Sequence, residues 1–193
     1  MPLRQRGTGR RQSSEVLAAE SGKAQEGENS MEKGRLCLCA TPIGNLEDIS
    51  LRVLRCLREA DLIAAEDTRN TVKLLNHYNI NTPLSSYHEH NKIKRSKELI
   101  EKLKGGSSIA LVSDAGMPAI SDPGEDMVAA AHKEGISVSV VPGACAFVSA
   151  LAISGLSSRR FIFEGFLPFD KKERRQVLED LAKERRTVVF YEA

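Results

Sequence analysis

No apolar run in this 193-residue sequence approaches the roughly 20 residues that cross a bilayer, and the opening residues show no apolar core of a secretory signal. No membrane partner is therefore expected. The four cysteines, at 37, 39, 56 and 145, form no Cys-x-x-Cys pair and have no histidine at zinc spacing. Metal is accordingly not expected. Cys37 and Cys39 alternate on one predicted strand, so both should face the same side as small buried hydrophobes, and a reducing, cytoplasmic setting fits. There is no Gly-x-Gly-x-x-Gly after the first strand and no phosphate loop with its lysine, so a dinucleotide or nucleotide-triphosphate site has poor support. Excess charge is also missing. The formal net charge is +2, with seven Lys or Arg and five Glu within residues 1–35 and a balanced remainder. Nucleic-acid binding must rest on local patches.

What is present is an ordinary soluble composition, 41% hydrophobic and 28% charged. Residues 1–34 are rich in Arg, Gln, Gly, Ser and Glu without apolar period, and a disordered tail is expected there. Short apolar runs then alternate with helical periods. Strands are predicted at 36–40, 62–65, 83–87, 109–112 and 138–141, and helices between them. The helix after Ser50 should carry Leu51, Leu54 and Leu57 inward. The helix over 92–104 should carry Ile93, Leu99, Ile100 and Leu103. This alternation predicts an α/β domain with a mostly parallel sheet over 35–155. A strand at 161–168, a charged helix over 171–185 and a strand at 187–191 read as the start of a second, incomplete domain over 156–193, too little to close its own core.

The focal stretch is Ile109-Ala-Leu-Val-Ser-Asp-Ala-Gly-Met-Pro-Ala-Ile-Ser-Asp-Pro-Gly124. A buried strand breaks into a polar loop stiffened by Pro118 and Pro123, with Gly116 and Gly124 where φ can be positive. A helix with Met127, Val128 and Ala131 on one face follows. In open parallel sheets such strand ends collect along one edge, where ligands bind.

Three other clusters invite chemistry. Glu66, Asp67 and Arg69 end the second strand. They can position a substrate, with a carboxylate near a hydroxyl and Arg69 on phosphate, or form only a helix cap at Asp67 or Thr68 with a local ion pair. His88-Glu89-His90-Asn91 ends the third strand. It lacks the ligands a metal needs and reads either as a polar loop able to move a proton or as a solvated turn. Lys92, Lys94, Arg95, Lys97, Lys102 and Lys104, broken by Glu98 and Glu101, read as a solvated helix face, with phosphate contact as the alternative.

ATPIGNLEDIS near the start, AEDTR at 65–69, SYHEHN at 86–91, SDAGMPAISDPG at 113–124, VPG at 141–143, FEGFLP at 163–168 and FYE at 190–192 together resemble one family. It is the ribosomal RNA small-subunit methyltransferase I group of the tetrapyrrole-methylase-like, class III S-adenosylmethionine methyltransferases. The resemblance covers about residues 35–193 and departs in small ways. The family usually has Thr at Met117, Gly at Ala119, and Pro-Gly-Pro-Ser-Ala where this chain has Pro-Gly-Ala-Cys-Ala. It also continues well beyond FYE.

The resemblance implies a two-domain α/β fold whose C-terminal domain is truncated here. It also implies a homodimer at full length and S-adenosyl-L-methionine between the domains. The implied reaction is 2'-O-methylation of a cytidine ribose in 16S rRNA of the small ribosomal subunit, near the decoding centre. Carried over by motif, the cofactor residues are Pro42, Gly44, Asp114, Ala115, Gly116, Met117, Ile120, Cys145 and Ala146. Glu66, Asp67, Arg69 and His88 are the catalytic candidates, with Glu66 or Asp67 ahead of His88 as proton acceptor. The Glu66 cluster and the focal loop lie on different strand ends, so they are expected to serve substrate and cofactor separately. Two other classes remain, a tetrapyrrole-type small-molecule methylase and a catalytically impaired fragment that only binds RNA or a partner.

Overall fold

The computed structural model describes residues 34–192. The tail expected over 1–34 lies outside these residues except for Gly34, which is buried and donates its N–H to the Leu103 carbonyl at 2.8 Å.

Five strands are formed by β1 (Arg35–Cys39), β2 (Leu62–Ala65), β3 (Leu84–Ser86), β4 (Ile109–Val112) and β5 (Ser137–Val141). They build one sheet in the order β3-β2-β4-β1-β5, every pair parallel. The helices are α1 (Leu51–Glu59), α2 (Thr68–His77), α3 (Lys92–Lys104), α4 (Gly124–Lys133) and α5 (Ala146–Ile153). Side-chain alternation divides the core in two. Leu36 and Leu38 of β1 join Ile109 and Leu111 of β4 against Leu99, Ile100 and Leu103 of α3 and Met127 and Ala131 of α4. Cys37 and Cys39, one residue out of phase, join Ile63, Ala65, Ala110 and Val112 against Val53, Leu54 and Leu57 of α1 and Leu75 of α2. Burying each large apolar side chain contributes about 1.5–3 kcal/mol, so both layers weigh in stability. The doubly covered parallel sheet is the one read from the alternating pattern.

Two predicted core residues are not in the core. Leu51 is 85% exposed. Steps of three residues fall behind the helical turn, so Leu51 lies about 120° around α1 from Leu57. Ile93 is 77% exposed because it sits in the first turn of α3, ahead of the turns that carry Leu99, Ile100 and Leu103 into the core.

A second, two-stranded parallel sheet joins β6 (Phe161–Phe166) to β7 (Thr187–Tyr191) through α6 (Lys171–Leu181). The helix stops four residues short of the predicted 185. Glu184 there accepts from the backbone N–H groups of Arg185 and Arg186, both at 2.8 Å, which turns the chain toward β7. The Phe147 ring of α5 stacks on Phe163 at 4.3 Å, and Tyr191 meets Phe163 edge-on at 5.1 Å. Gly165 is buried with φ +76°, and a Cβ there would lie 2.8 Å from Ser121 Oγ. The second sheet therefore reaches the loop that follows β4.

Candidate functional site

The C-terminal ends of the parallel strands lie along one edge of the sheet, and the loops there are stitched to each other. Thr41 after β1 and Gly116 after β4 exchange two backbone hydrogen bonds, Thr41 N–H to Gly116 O at 2.9 Å and Gly116 N–H to Thr41 O at 3.1 Å. Thr41 Oγ1 also donates to the Ser113 carbonyl at 3.2 Å. Gly116 holds φ +85°, and a Cβ on it would press within 3.2 Å of Ile43 Cγ2 and 3.5 Å of the Ala144 carbonyl. Gly143, after β5, would place a Cβ 2.9 Å from that of Ala40. Small residues at these strand ends therefore let three loops converge.

Farther along the β4–α4 loop, Asp122 accepts from the N–H groups of Ala119 at 2.8 Å and Gly124 at 2.6 Å. Gly124 does not have the positive φ the sequence suggested. It starts α4, and the reason for glycine is space, since a Cβ would stand 2.7 Å from Asp122 Oδ1 and 3.0 Å from Ala119 N. The left-handed residues are instead Ala119 at +64° and Ser121 at +56°, conformations that cost a non-glycine residue about 1–2 kcal/mol.

The Glu66 cluster is joined to this loop. Asp114 Oδ1 accepts from the Asp67 N–H at 2.9 Å, and Asp114 Oδ2 from Asn70 Nδ2 at 3.3 Å. The two clusters lie on different strand ends, as expected, but the ends adjoin. β2 and β4 are neighbours in the sheet, and one carboxylate ties both loops. Asp67 caps α2 by accepting from the Arg69 N–H at 2.8 Å, and its carboxylate holds the Arg69 guanidinium through Nε at 3.0 Å and Nη2 at 2.6 Å. These bonds hold Asp67 down to about 2, which makes it a poor proton acceptor. Glu66 is different. Half-burial, with Asp114, Asp122 and Asp67 adding negative charge nearby, pushes its carboxyl above the ordinary carboxylate value.

A cleft of about 210 Å³ is lined by Thr41, Pro42, Gly44, Asn70, Lys73 and Asp114 among others, so Asp114 reaches it whereas Glu66, Asp67 and Arg69 are not part of its lining. Of the cofactor residues carried over by motif, Pro42, Gly44 and Asp114 line it. Gly116 braces it from behind through Thr41. Ala115 is exposed in the same loop, Met117 packs on the core, and Ile120 is exposed farther along. Cys145 and Ala146 are placed outside the cleft, at the start of α5. Sequence reading missed Thr41, Asn70 and Lys73. Thr41 stood in a quoted motif, whereas Asn70 and Lys73 reach the cleft only because α2 starts where Asp67 caps it.

His88 sits at the end of β3. Its backbone N–H donates to Asn91 Oδ1 at 2.9 Å, and its Nε2 lies 3.1 Å from Asn91 Nδ2. Its Nδ1 is buried with no hydrogen-bond partner among the described residues. His90 is exposed. On α3, Lys92 pairs with Asp126 at 2.6 Å and Glu89 at 2.8 Å, Arg95 with Glu98 at 2.5 Å, and Lys104 with Glu134 at 2.9 Å. Much of the basic run is thus an ion-paired helix face.

The pattern of the family described as Tetrapyrrole (Corrin/Porphyrin) Methylases matches residues 35–193. The chain is 60% identical over 162 residues to "Ribosomal RNA small subunit methyltransferase I" of Halalkalibacterium halodurans, covering 84% of this chain and 56% of that protein. It is 55% identical over 160 residues to the protein of the same name from Thermotoga maritima, covering 83% and 72%. The chain thus spans little more than half the length of the Halalkalibacterium relative. Among solved structures, diphthine synthase resembles it with a TM-score of 0.63 at 17% identity, over 82% of this chain and 64% of that one. Uroporphyrin-III C-methyl transferase from Thermus thermophilus, complexed with S-adenyl homocysteine, resembles it with a TM-score of 0.52 at 20% identity, over 70% and 60%. These likenesses show the fold.

Proposed function

The chain belongs to the tetrapyrrole (corrin/porphyrin) methylase family, and within it to the ribosomal RNA small subunit methyltransferase I group; from that premise we propose that it carries one side of a site for S-adenosylmethionine-dependent 2'-O-methylation of a cytidine ribose in 16S rRNA. The observation that carries the reading is Glu66, a half-buried carboxylate with a raised pKa, at the strand end joined by Asp114 to a cleft of small and polar residues.

S-Adenosylmethionine supplies the electrophilic methyl group on a sulfonium when bound. The residues present fit one side of such a molecule. The Asp114 carboxylate suits a cationic ligand, the buried Thr41 and Ser113 hydroxyls fix the loops by donating to backbone carbonyls, and Pro42 and Gly44 keep the wall low. The cleft is smaller than the about 300–1,000 Å³ of typical ligand pockets, as expected of one wall. Ala115, Gly116, Met117 and Ile120 shape the loop behind that wall. Cys145 and Ala146 lie outside it, at the start of α5.

Glu66 is the proton acceptor for the ribose hydroxyl, because its environment favours taking up a proton whereas that of Asp67 opposes it. Asp67 instead orients Arg69, whose side chain is 87% exposed, toward a phosphate. His88 orders the neighbouring strand end. Residues 156–193 begin the second domain of a homodimeric cytoplasmic enzyme. The small-molecule alternative is less favoured, since Asn70, Lys73 and Asp114 give the cleft a polar rim.

The test is Glu66→Gln in the protein extended to the length of its relatives. Adenosylmethionine binding by calorimetry should persist, while methylation of a 16S rRNA fragment, read by mass spectrometry, falls on the order of 10²-fold or more. Full methylation by this variant would remove Glu66 from the chemistry. A native enzyme that binds the cofactor and leaves the RNA unmodified would overturn the substrate.

A further inference from the structure

Outside the cleft, the fold assembles three thiols that the sequence keeps apart. Cys37 and Cys39 project from the same face of β1, and Cys56 projects from α1, which packs on that face. Cys39 Sγ lies 3.9 Å from Cys37 Sγ, and all three sulfurs lie within 4.8 Å of one another. We propose that Cys37, Cys39 and Cys56 form a three-thiolate site for a soft, closed-shell cation of the zinc(II) or cadmium(II) kind, between β1 and α1.

Geometry supports the assignment. Zinc–thiolate bonds of about 2.3 Å place sulfurs sharing one ion about 4 Å apart, and cadmium, being larger, spreads them further. The Cys37–Cys39 spacing of 3.9 Å already matches, and neither of the other two exceeds 4.8 Å. Both anchoring elements are regular secondary structure in the packed core, so little ordering remains to be done on binding. Donor chemistry points the same way, because thiolates select soft ions over magnesium or calcium. No His, Asp or Glu among the described residues joins the cluster. A shallow recess lined by Arg35, Ala60 and Ser108 among others reaches Cys37 and Cys56, and Cys39 lies buried behind it.

Charge is close to balanced as well. On binding, each thiol releases its proton to solvent, and three thiolates around a divalent ion carry one net negative charge. Arg35, which already acts electrostatically on Cys37 and Cys56, offsets it.

The experiment is a titration of the reduced, chelator-treated chain with cadmium(II), followed by its ultraviolet thiolate charge-transfer band, with zinc(II) as competitor. One equivalent should saturate the band, zinc should displace it, and thermal stability should rise with either ion. Cys56→Ala, at the half-buried position, should weaken cadmium binding on the order of 100-fold or more, since loss of a direct ligand costs at least as much as loss of a supporting contact. Cys37→Ala should do the same, and Cys145→Ala should leave the band intact. Circular dichroism checks that each variant folds. The native titration decides even if a variant does not. No band in the native chain, or a band unchanged in Cys56→Ala and Cys37→Ala, overturns the site. A disulfide among the three found by mass spectrometry in a native chain that gives no band would also overturn it, and would make the cluster a redox pair.

Discussion

Helix α1 and helix α5 each follow a strand of the five-stranded sheet, yet they are treated very differently. α1, with three arginines and a glutamate in nine residues, buries Val53, Leu54 and Leu57. α5 has no charged residue but buries only Leu151, with Val148 52% and Ile153 89% exposed. A helix apolar on one stripe needs one sheet to cover it, whereas a helix apolar all round needs cover on several sides. α1 finds its sheet. α5 packs on β7, its Phe147 meeting Phe163 and Tyr191 of the second sheet, and Leu156, Phe166 and Phe169 are exposed nearby in the chain. The contrast teaches that α1 and the strands it packs on are closed by their own residues. The α5–β7 region shows an apolar surface of the kind that marks an interaction face.

The largest way to test that contrast is to truncate the closed core. Leu57→Ala should cost about 2–5 kcal/mol of unfolding free energy, read by denaturant titration. The matching truncation Phe169→Ala, at a side chain 94% exposed, should stay within about 0.5 kcal/mol. Equal losses would mean that the two regions are held alike.

A smaller loss is expected where the loops converge. Gly143→Ala forces a Cβ against Ala40 and should cost about 1–3 kcal/mol. It should also weaken adenosylmethionine binding, because Ala40 leads directly into the Thr41–Gly116 stitch. Loss of stability with unchanged cofactor affinity would detach the β5–α5 loop from the cleft.

Smaller again is the effect of Glu66→Gln on stability, and its pH dependence sharpens the assignment. The folded pKa of Glu66 is raised, so the folded state holds its proton longer than the unfolded chain does. Wild-type stability therefore falls as pH rises from the ordinary value of 4.5 through the folded value. Glutamine mimics the protonated form. The variant should match wild type below that window and melt higher above it. A variant that melts lower at neutral pH would show that ionised Glu66 is stabilised by a partner.

The smallest change expected is at Ala119. Ala119→Gly relieves a left-handed conformation but adds glycine's entropy cost of about 0.5–1 kcal/mol. The net gain should be about 1 kcal/mol or less, visible as a slightly higher melting temperature. A lower one would mean that the Ala119 methyl packs better than its backbone strains.

Much of this architecture was legible in the linear pattern, for definite reasons. Strand alternation in Leu36-Cys37-Leu38-Cys39 and helical spacing in α2 and α4 are local properties, and each element follows from residues within a turn or two of itself. The parallel sheet follows from the alternation of such elements, and with it one functional edge. Seven motifs in order identified the family. What local pattern could not supply was how far a helix end overhangs its layer, as Ile93 shows, whereas Leu51, about 120° around α1 from Leu57, lies off the core stripe by helical arithmetic alone.

Nor could it supply contacts between segments far apart in sequence. Asp114 meets Asp67 and Asn70 because β2 and β4 are neighbours, an adjacency set by strand order and not by chain order. That contact, with the Arg69 fork, separates two adjacent carboxylates into a depressed Asp67 and a raised Glu66. Burial and neighbouring charge shift a pKa, and both are properties of three-dimensional surroundings. Likewise Cys37 and Cys39 could be placed on one face from their spacing, but only the packing of α1 on β1 brings Cys56 beside them. The residue types and their faces were therefore determined by sequence alone, and their partners, and through them their chemistry, by the tertiary structure.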